Sequence, residues 1–87
     1  MAWFVYIVEC NDTSLYAGIC WNLKKRIKEH NNGLYRGAFT KGRLPVKLVY
    51  WERFANRFEA AKREKEIKGW NRVKKEKLMK SLHRGTK

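Results

Sequence analysis

Trp3, Phe4, Val5, Tyr6, Ile7 and Val8 follow one another without a polar interruption, and the run closes on Glu9 and Cys10. It is β-branched and aromatic, and apolar at odd and even positions alike. As a strand it offers both faces for burial, which places it in the centre of a sheet. Asn11, Asp12, Thr13 and Ser14 supply turn chemistry, and residues 15–19 resume as a second strand, so the pair reads as a hairpin. Asn22 is placed to cap a helix over 23–30 with Leu23 and Ile27 on its inner face.

Residues 31–45 contain three glycines, one proline and no clear periodicity, and read as a loop made basic by Arg36, Lys41 and Arg43. A third strand is expected over 46–54, because Pro45 can start a strand but not sit inside a central one. Asn56 and Glu59 fit the capping-box pattern at the start of a helix to about residue 68. Gly69 ends that helix, and Asn71 caps a last one to about residue 82. The order β-β-α-β-α-α gives an α+β class. Residues 1–82 are expected as one domain and 83–87 as a frayed basic tail.

Eighty-seven residues suffice for one domain with a single modest core. The chain has 21 Lys plus Arg against 8 Asp plus Glu, a net charge of +13, and its 44% hydrophobic content is too high for disorder. That charge opposes compaction by self-repulsion and points to a polyanionic partner, with nucleic acid first. A membrane partner is not expected, since no stretch approaches the roughly 18–20 apolar residues of a spanning helix. The N-terminus lacks a charged leader and a small-residue cleavage site, and Cys10 and Cys20 form no C-x-x-C pair. Reduced, packed cysteines in a cytoplasmic protein are expected.

Glu64 is the residue that breaks the pattern. With Arg57 at zero and about 100° per residue, Ala60, Ala61 and Ile67 fall at about 300°, 40° and 280°, and Glu64 at about 340° lies inside their stripe. Phe58, at about 100°, extends the stripe on the side away from Glu64. Glu59 and Glu66 fall on the opposite, solvated side. A carboxylate facing a sheet is costly unless paired. Either a surplus cation neutralises Glu64, or Glu64 is a metal ligand beside a phosphate-binding surface. On the first helix Arg26 and His30 lie one turn apart and flank the inner stripe, whereas Lys24, Lys25 and Lys28 point outward, as suits phosphate contact.

With these positions fixed, the sequence resembles the GIY-YIG nuclease superfamily, and is most similar to its small stand-alone bacterial, YhbQ-like branch. Val5-Tyr6-Ile7 and Tyr16-Ala17-Gly18 correspond to the two tyrosine-bearing motifs. Residues 15–30 match the family run LYxGxxxxLxxRxxxH, and 42–50 and 59–68 match its third strand and second helix. Val5-Tyr6-Ile7 lacks the leading Gly, Ala17 replaces a middle Ile, and Ile19 stands where repair members carry a lysine.

The resemblance implies a three-stranded antiparallel sheet flanked by helices. It also implies hydrolysis of a phosphodiester to a 3′-hydroxyl and a 5′-phosphate. Glu64 would hold a single divalent cation, Mg²⁺ or Mn²⁺, with no small-molecule cofactor. One carboxylate leaves the other positions to water and phosphate, as Mg²⁺ tolerates. Arg26 would neutralise charge on the non-bridging oxygens. Tyr16, Tyr6 or His30 would position or deprotonate the attacking water. From the residues alone, without the resemblance, both tyrosines read first as cross-strand packing.

The hairpin raises a difficulty. A symmetric two- or four-residue turn centred on Asp12 and Thr13 puts Tyr6 and Tyr16 on opposite faces of the sheet. For both to serve one site, the loop must be odd or the strands bulged. Three functions remain open. One is an endonuclease on structured, nicked or distorted DNA, with RNA not excluded. Another is a non-catalytic nucleic-acid binder with Glu64 in a salt bridge. The third is a basic subunit docking on a protein partner through Trp21, Trp51 and Trp70, for which core packing is otherwise expected.

Overall fold

A computed structural model describes residues 2–32 and 42–85, with side chains through residue 80. Its elements are β1 (Trp3–Glu9), β2 (Leu15–Cys20), α1 (Leu23–Asn31), β3 (Lys47–Phe54), α2 (Arg57–Lys68) and α3 (Arg72–Gly85). The three strands form one antiparallel sheet in the order β2-β1-β3. The apolar run therefore occupies the centre, and Val5, Tyr6, Ile7 and Val8 are all fully buried.

Each helix starts where an asparagine can serve it. The side-chain oxygens of Asn22, Asn56 and Asn71 accept from the amides of Lys25, Glu59 and Lys74 at 3.0, 2.9 and 2.9 Å. Each bond satisfies an amide that the first helical turn would leave unpaired. The last helix differs from expectation at its far end: it stays helical to Gly85, past the stop expected near residue 82.

The core has two halves, one on each side of the sheet. Val5, Ile7, Ala17 and Tyr50 pack with Ala60 and Ile67 of α2, joined by Trp70, Leu78 and Met79. Tyr6, Val8, Cys10, Cys20 and Val46 pack on the other side with Leu23 and Ile27 of α1. A register shift where β1 meets β3 pairs Ile7 with Tyr50 but Val8 with Leu48, which sends Leu48 to the α1 side and leaves Tyr50 on the other. Full burial of a side chain such as Ile67 contributes about 1.5–3 kcal/mol.

Two expectations of packing are corrected, and that for the cysteines holds. Phe58 is 72% exposed and forms no part of the α2 stripe, whose buried members are Ala60 and Ile67. Trp21 and Trp51 are also exposed, while Trp70 alone of the three packs against the core. Cys10 and Cys20 are free and buried, and burial pushes the Cys20 thiol up. No helix among the described residues is long and apolar enough to cross a membrane.

Candidate active site

The hairpin loop decides which side chains can meet. The amide of Cys10 donates to the Ser14 carbonyl at 2.8 Å, the amide of Thr13 donates to the Cys10 carbonyl at 2.9 Å, and Thr13 adopts φ 69°. This is the odd, three-residue hairpin loop, a turn closed by one left-handed residue. Asp12 Oδ1 braces it by accepting from the Ser14 amide at 3.1 Å. The resulting register pairs Tyr6 with Gly18 and Val8 with Tyr16, so both tyrosines emerge on the α1 side. The irregularity that a shared site requires is present, in the loop rather than as a bulge between β1 and β2.

Four of the expected site residues converge there. The Tyr6 hydroxyl lies 3.1 Å from His30 Nε2, and both residues are buried. Arg26 approaches the same hydroxyl at 3.5 Å and donates to the Ile19 carbonyl at 2.9 Å. Its Nε reaches Glu29 Oε1 at 3.3 Å. Tyr16 completes an aromatic triangle, with its ring 6.4 Å from that of Tyr6 and 5.7 Å from that of His30. Burial, joined by the Arg26 guanidinium, pushes His30 down to about 4, so it is neutral at physiological pH. The phenol oxygen satisfies both neighbours when it accepts from Arg26 and donates to His30 Nε2, which requires the imidazole proton on Nδ1.

Gly18 makes this arrangement possible. A Cβ placed there would stand 2.6 Å from the Tyr6 hydroxyl oxygen and 2.8 Å from Cζ. The phenol is pinned by His30 and cannot swing aside, so only a glycine lets it lie across β2. The general signal was available, since a glycine inside a strand marks a close approach. The partner was not, because it depends on the register.

Glu64 is not turned out into bulk solvent: its side chain is 22% exposed, and its carboxylate meets Lys68 Nζ at 3.3 Å. Lys68 in turn lies 5.2 Å from the centroid of the Tyr16 ring. Glu64 rides on the helix that covers the opposite side of the sheet from α1, and Lys68 links it to the tyrosine cluster. Among the described residues no group of three or more His, Cys, Asp or Glu could hold a metal ion. The donor set fits a hard cation bound by one carboxylate together with water and phosphate, and does not fit an all-protein cage. The carboxylate already holds a cation, the Lys68 ammonium. Lys68 was missed in the sequence, although its i,i+4 spacing from Glu64 could have drawn attention to it.

Of the expected phosphate contacts, Lys24, Lys25 and Lys28 are exposed along α1. Arg43 instead turns to Asp12, with Nε 3.0 Å from Oδ2, and so ties the segment before β3 to the hairpin loop. Arg36 and Lys41 lie outside the described residues. Arg26 and Lys25 share a shallow depression with Cys20, Trp21, Asn22 and Glu29.

The family model described as the GIY-YIG catalytic domain matches residues 2–77. A UPF0213 protein of Desulfotalea psychrophila is 46% identical over 84 residues, covering 97% of this chain and 76% of its own. A UPF0213 protein of Clostridium perfringens is 54% identical over 79 residues, covering 90% and 83%. Among solved structures, the solution structure of a UPF0213 protein from Bacillus halodurans superposes with TM-score 0.59 at 42% identity, over 92% of this chain and 84% of that one. A solution structure of an E. faecalis protein gives TM-score 0.63 at 33% identity, over 95% and 88%.

Proposed function

This chain belongs to the GIY-YIG catalytic-domain family, a family of nucleases, and on that premise we propose that it is a metal-dependent endonuclease cutting phosphodiester bonds in structured, nicked or distorted DNA. The observation that carries the reading is the convergence of Tyr6, Tyr16, Arg26 and His30 on one side of the sheet, with Lys68 joining them to Glu64.

A scissile phosphate is held by the Arg26 guanidinium, which stays protonated at any working pH and faces the charge that builds on the non-bridging oxygens. Tyr6 and His30 are sealed from solvent and act as positioning residues, fixing the side of the pocket that Arg26 leans on. Tyr16 is only partly buried and is the phenol that can meet the attacking water. The water adds to phosphorus in line with the departing 3′ oxygen, which leaves as the hydroxyl and takes up a proton, while the 5′-phosphate remains on the other product. Glu64 is the residue to hold a Mg²⁺ or Mn²⁺ ion, which would polarise the phosphate and stabilise the leaving oxygen. The exposed lysines of α1 bind the flanking backbone without reading sequence.

A second reading, a non-catalytic nucleic-acid binder, is favoured by the Glu64–Lys68 ion pair, which satisfies the carboxylate without a metal. One experiment separates the two. Branched, nicked and plain duplexes are incubated with Mg²⁺, with Mn²⁺ and with chelator, using the natural protein and Glu64→Gln. The nuclease reading expects metal-dependent cleavage that falls at least about 100-fold in Glu64→Gln while affinity for DNA is retained. Salt-sensitive binding with no cleavage by the natural protein in any metal establishes the binder.

A further inference from the structure

Trp21 has no part in the chemistry above, yet it lines the same depression as Arg26, the residue proposed to hold the phosphate. It follows β2 directly, precedes the Asn22 cap, and remains 46% exposed. With Arg26 and Lys25 it lines the same depression, and Lys25 Nζ lies 5.7 Å from the centroid of its ring. A tryptophan just ahead of a helix cap commonly folds back onto the first turn and is covered. Here, even with the Lys25 ammonium over the ring, nearly half of the tryptophan stays in water, beside the guanidinium proposed for the scissile phosphate and at the head of a row of exposed lysines, Lys24, Lys25 and Lys28.

Nucleobases are the part of a polyanionic chain that fits such a face. Every base has a π surface, and stacking on an aromatic side chain tolerates any sequence. In continuous duplex both surfaces of a base are covered by its neighbours, so only an unpaired or frayed base can stack on the protein without first being unstacked. The lysines bind backbone and the indole binds the base. That division of labour recurs wherever single strands are held without sequence reading.

We propose that Trp21 is a stacking platform for an unpaired nucleobase next to the phosphodiester at Arg26, which makes nucleic acid with an unpaired base the preferred substrate class over continuous duplex. The inference rests on the nuclease reading, since it takes the substrate strand to lie at Arg26.

The test uses 2-aminopurine, whose emission falls when it stacks, placed as a single unpaired base in one duplex and as a paired base in another. A separate dye reports affinity, and chelator prevents cutting. The natural protein is expected to bind the bulged duplex about ten-fold more tightly than the continuous one and to quench the unpaired 2-aminopurine. Trp21→Phe should keep most of both effects. Trp21→Leu, which retains apolar bulk but cannot stack, should lose the quenching and the preference while binding continuous duplex as before. Trp51→Leu, at an exposed tryptophan that packs edge-on against Phe4 with centroids 5.9 Å apart, should behave as the natural protein does. Equal quenching and equal preference in Trp21→Leu overturn the stacking role while leaving the nuclease reading intact. If the natural protein binds neither duplex, the reading beneath the inference is overturned as well.

Discussion

Each side of the sheet carries a tyrosine beside an arginine, and the two pairs are built differently. On the α2 side Tyr50 donates to Glu52, and Arg63 closes a fork on the same carboxylate at 2.9 and 3.0 Å. Arg63 also pairs with Glu66 and stacks 5.1 Å over Trp70. Burial, joined by the Glu52 carboxylate, pushes the Tyr50 phenol well above its ordinary range. The hydrogen bonds that Arg63 donates to the Glu52 carboxylate likewise raise the guanidinium above its ordinary range. On the α1 side Tyr6 meets a neutral imidazole and a guanidinium, and Arg26 borders an open depression. The first phenol is held against a negative charge and the second against a positive one. A fork–fork pair with its carboxylate is a structural clasp. Arg26 meets its own carboxylate, Glu29, through a single 3.3 Å contact at Nε, with Nη1 turned to the phenol and the Ile19 carbonyl, and on the proposed reading it is the guanidinium that receives the phosphate.

If the two sides differ in this way, substitutions should separate activity from stability. The largest expected effect is on activity. Arg26→Lys keeps the charge but loses the planar fork, and cleavage should fall by about 100-fold or more, measured as single-turnover rate, with the melting temperature little changed. Gly18→Ala should injure both quantities, because the added methyl drives into the Tyr6 hydroxyl. A destabilisation of about 1–3 kcal/mol in chemical denaturation is expected, with loss of cleavage at temperatures where the variant is still folded. An unperturbed Gly18→Ala would break the idea that this glycine exists to seat Tyr6.

His30 sharpens the comparison through pH. Its folded value of about 4 lies below the ordinary 6.5. The unfolded chain therefore takes up a proton that the folded chain refuses as pH falls through that window. Stability should be flat above about 6.5 and drop by on the order of 2–3 kcal/mol on the way to about 4. Denaturation at pH 7.5, 5.5 and 4.5 should show this slope, and His30→Gln should remove it. The smallest expected effect is at the surface. Each of Lys24→Ala, Lys25→Ala and Lys28→Ala should lower the salt dependence of DNA binding by about one unit of log–log slope, with stability within about 0.5 kcal/mol.

What could be read in the sequence was whatever local chemistry decides. The central strand follows from an unbroken apolar run, and three asparagines announce three helix starts. The inward azimuth of Glu64 follows from its spacing from Ala60 and Ile67, and it is indeed largely covered. What could not be read depends on how elements meet. A single left-handed residue, Thr13, sets the hairpin register, and that register alone brings Tyr16 beside Tyr6 and Gly18 beneath it. Lys68, at the end of α2, stands out only because Tyr16 of β2 comes within reach of it. Phe58 shows the limit of periodicity: the wheel gives it a place next to the stripe, but only Ala60 and Ile67 of α2 are fully packed against the sheet.

Glu52 and Glu64 offer the sharpest contrast, because the same Glu→Gln change can be made in the clasp and in the proposed centre. Each variant is assayed for cleavage of nicked DNA in Mg²⁺, per mole of folded protein, at a temperature where both are native. The account predicts that Glu64→Gln cuts at least about 100-fold more slowly than the natural protein, and that Glu52→Gln cuts at nearly the natural rate despite a lower melting temperature. The reverse ranking, or equal rates in the two variants, would contradict it.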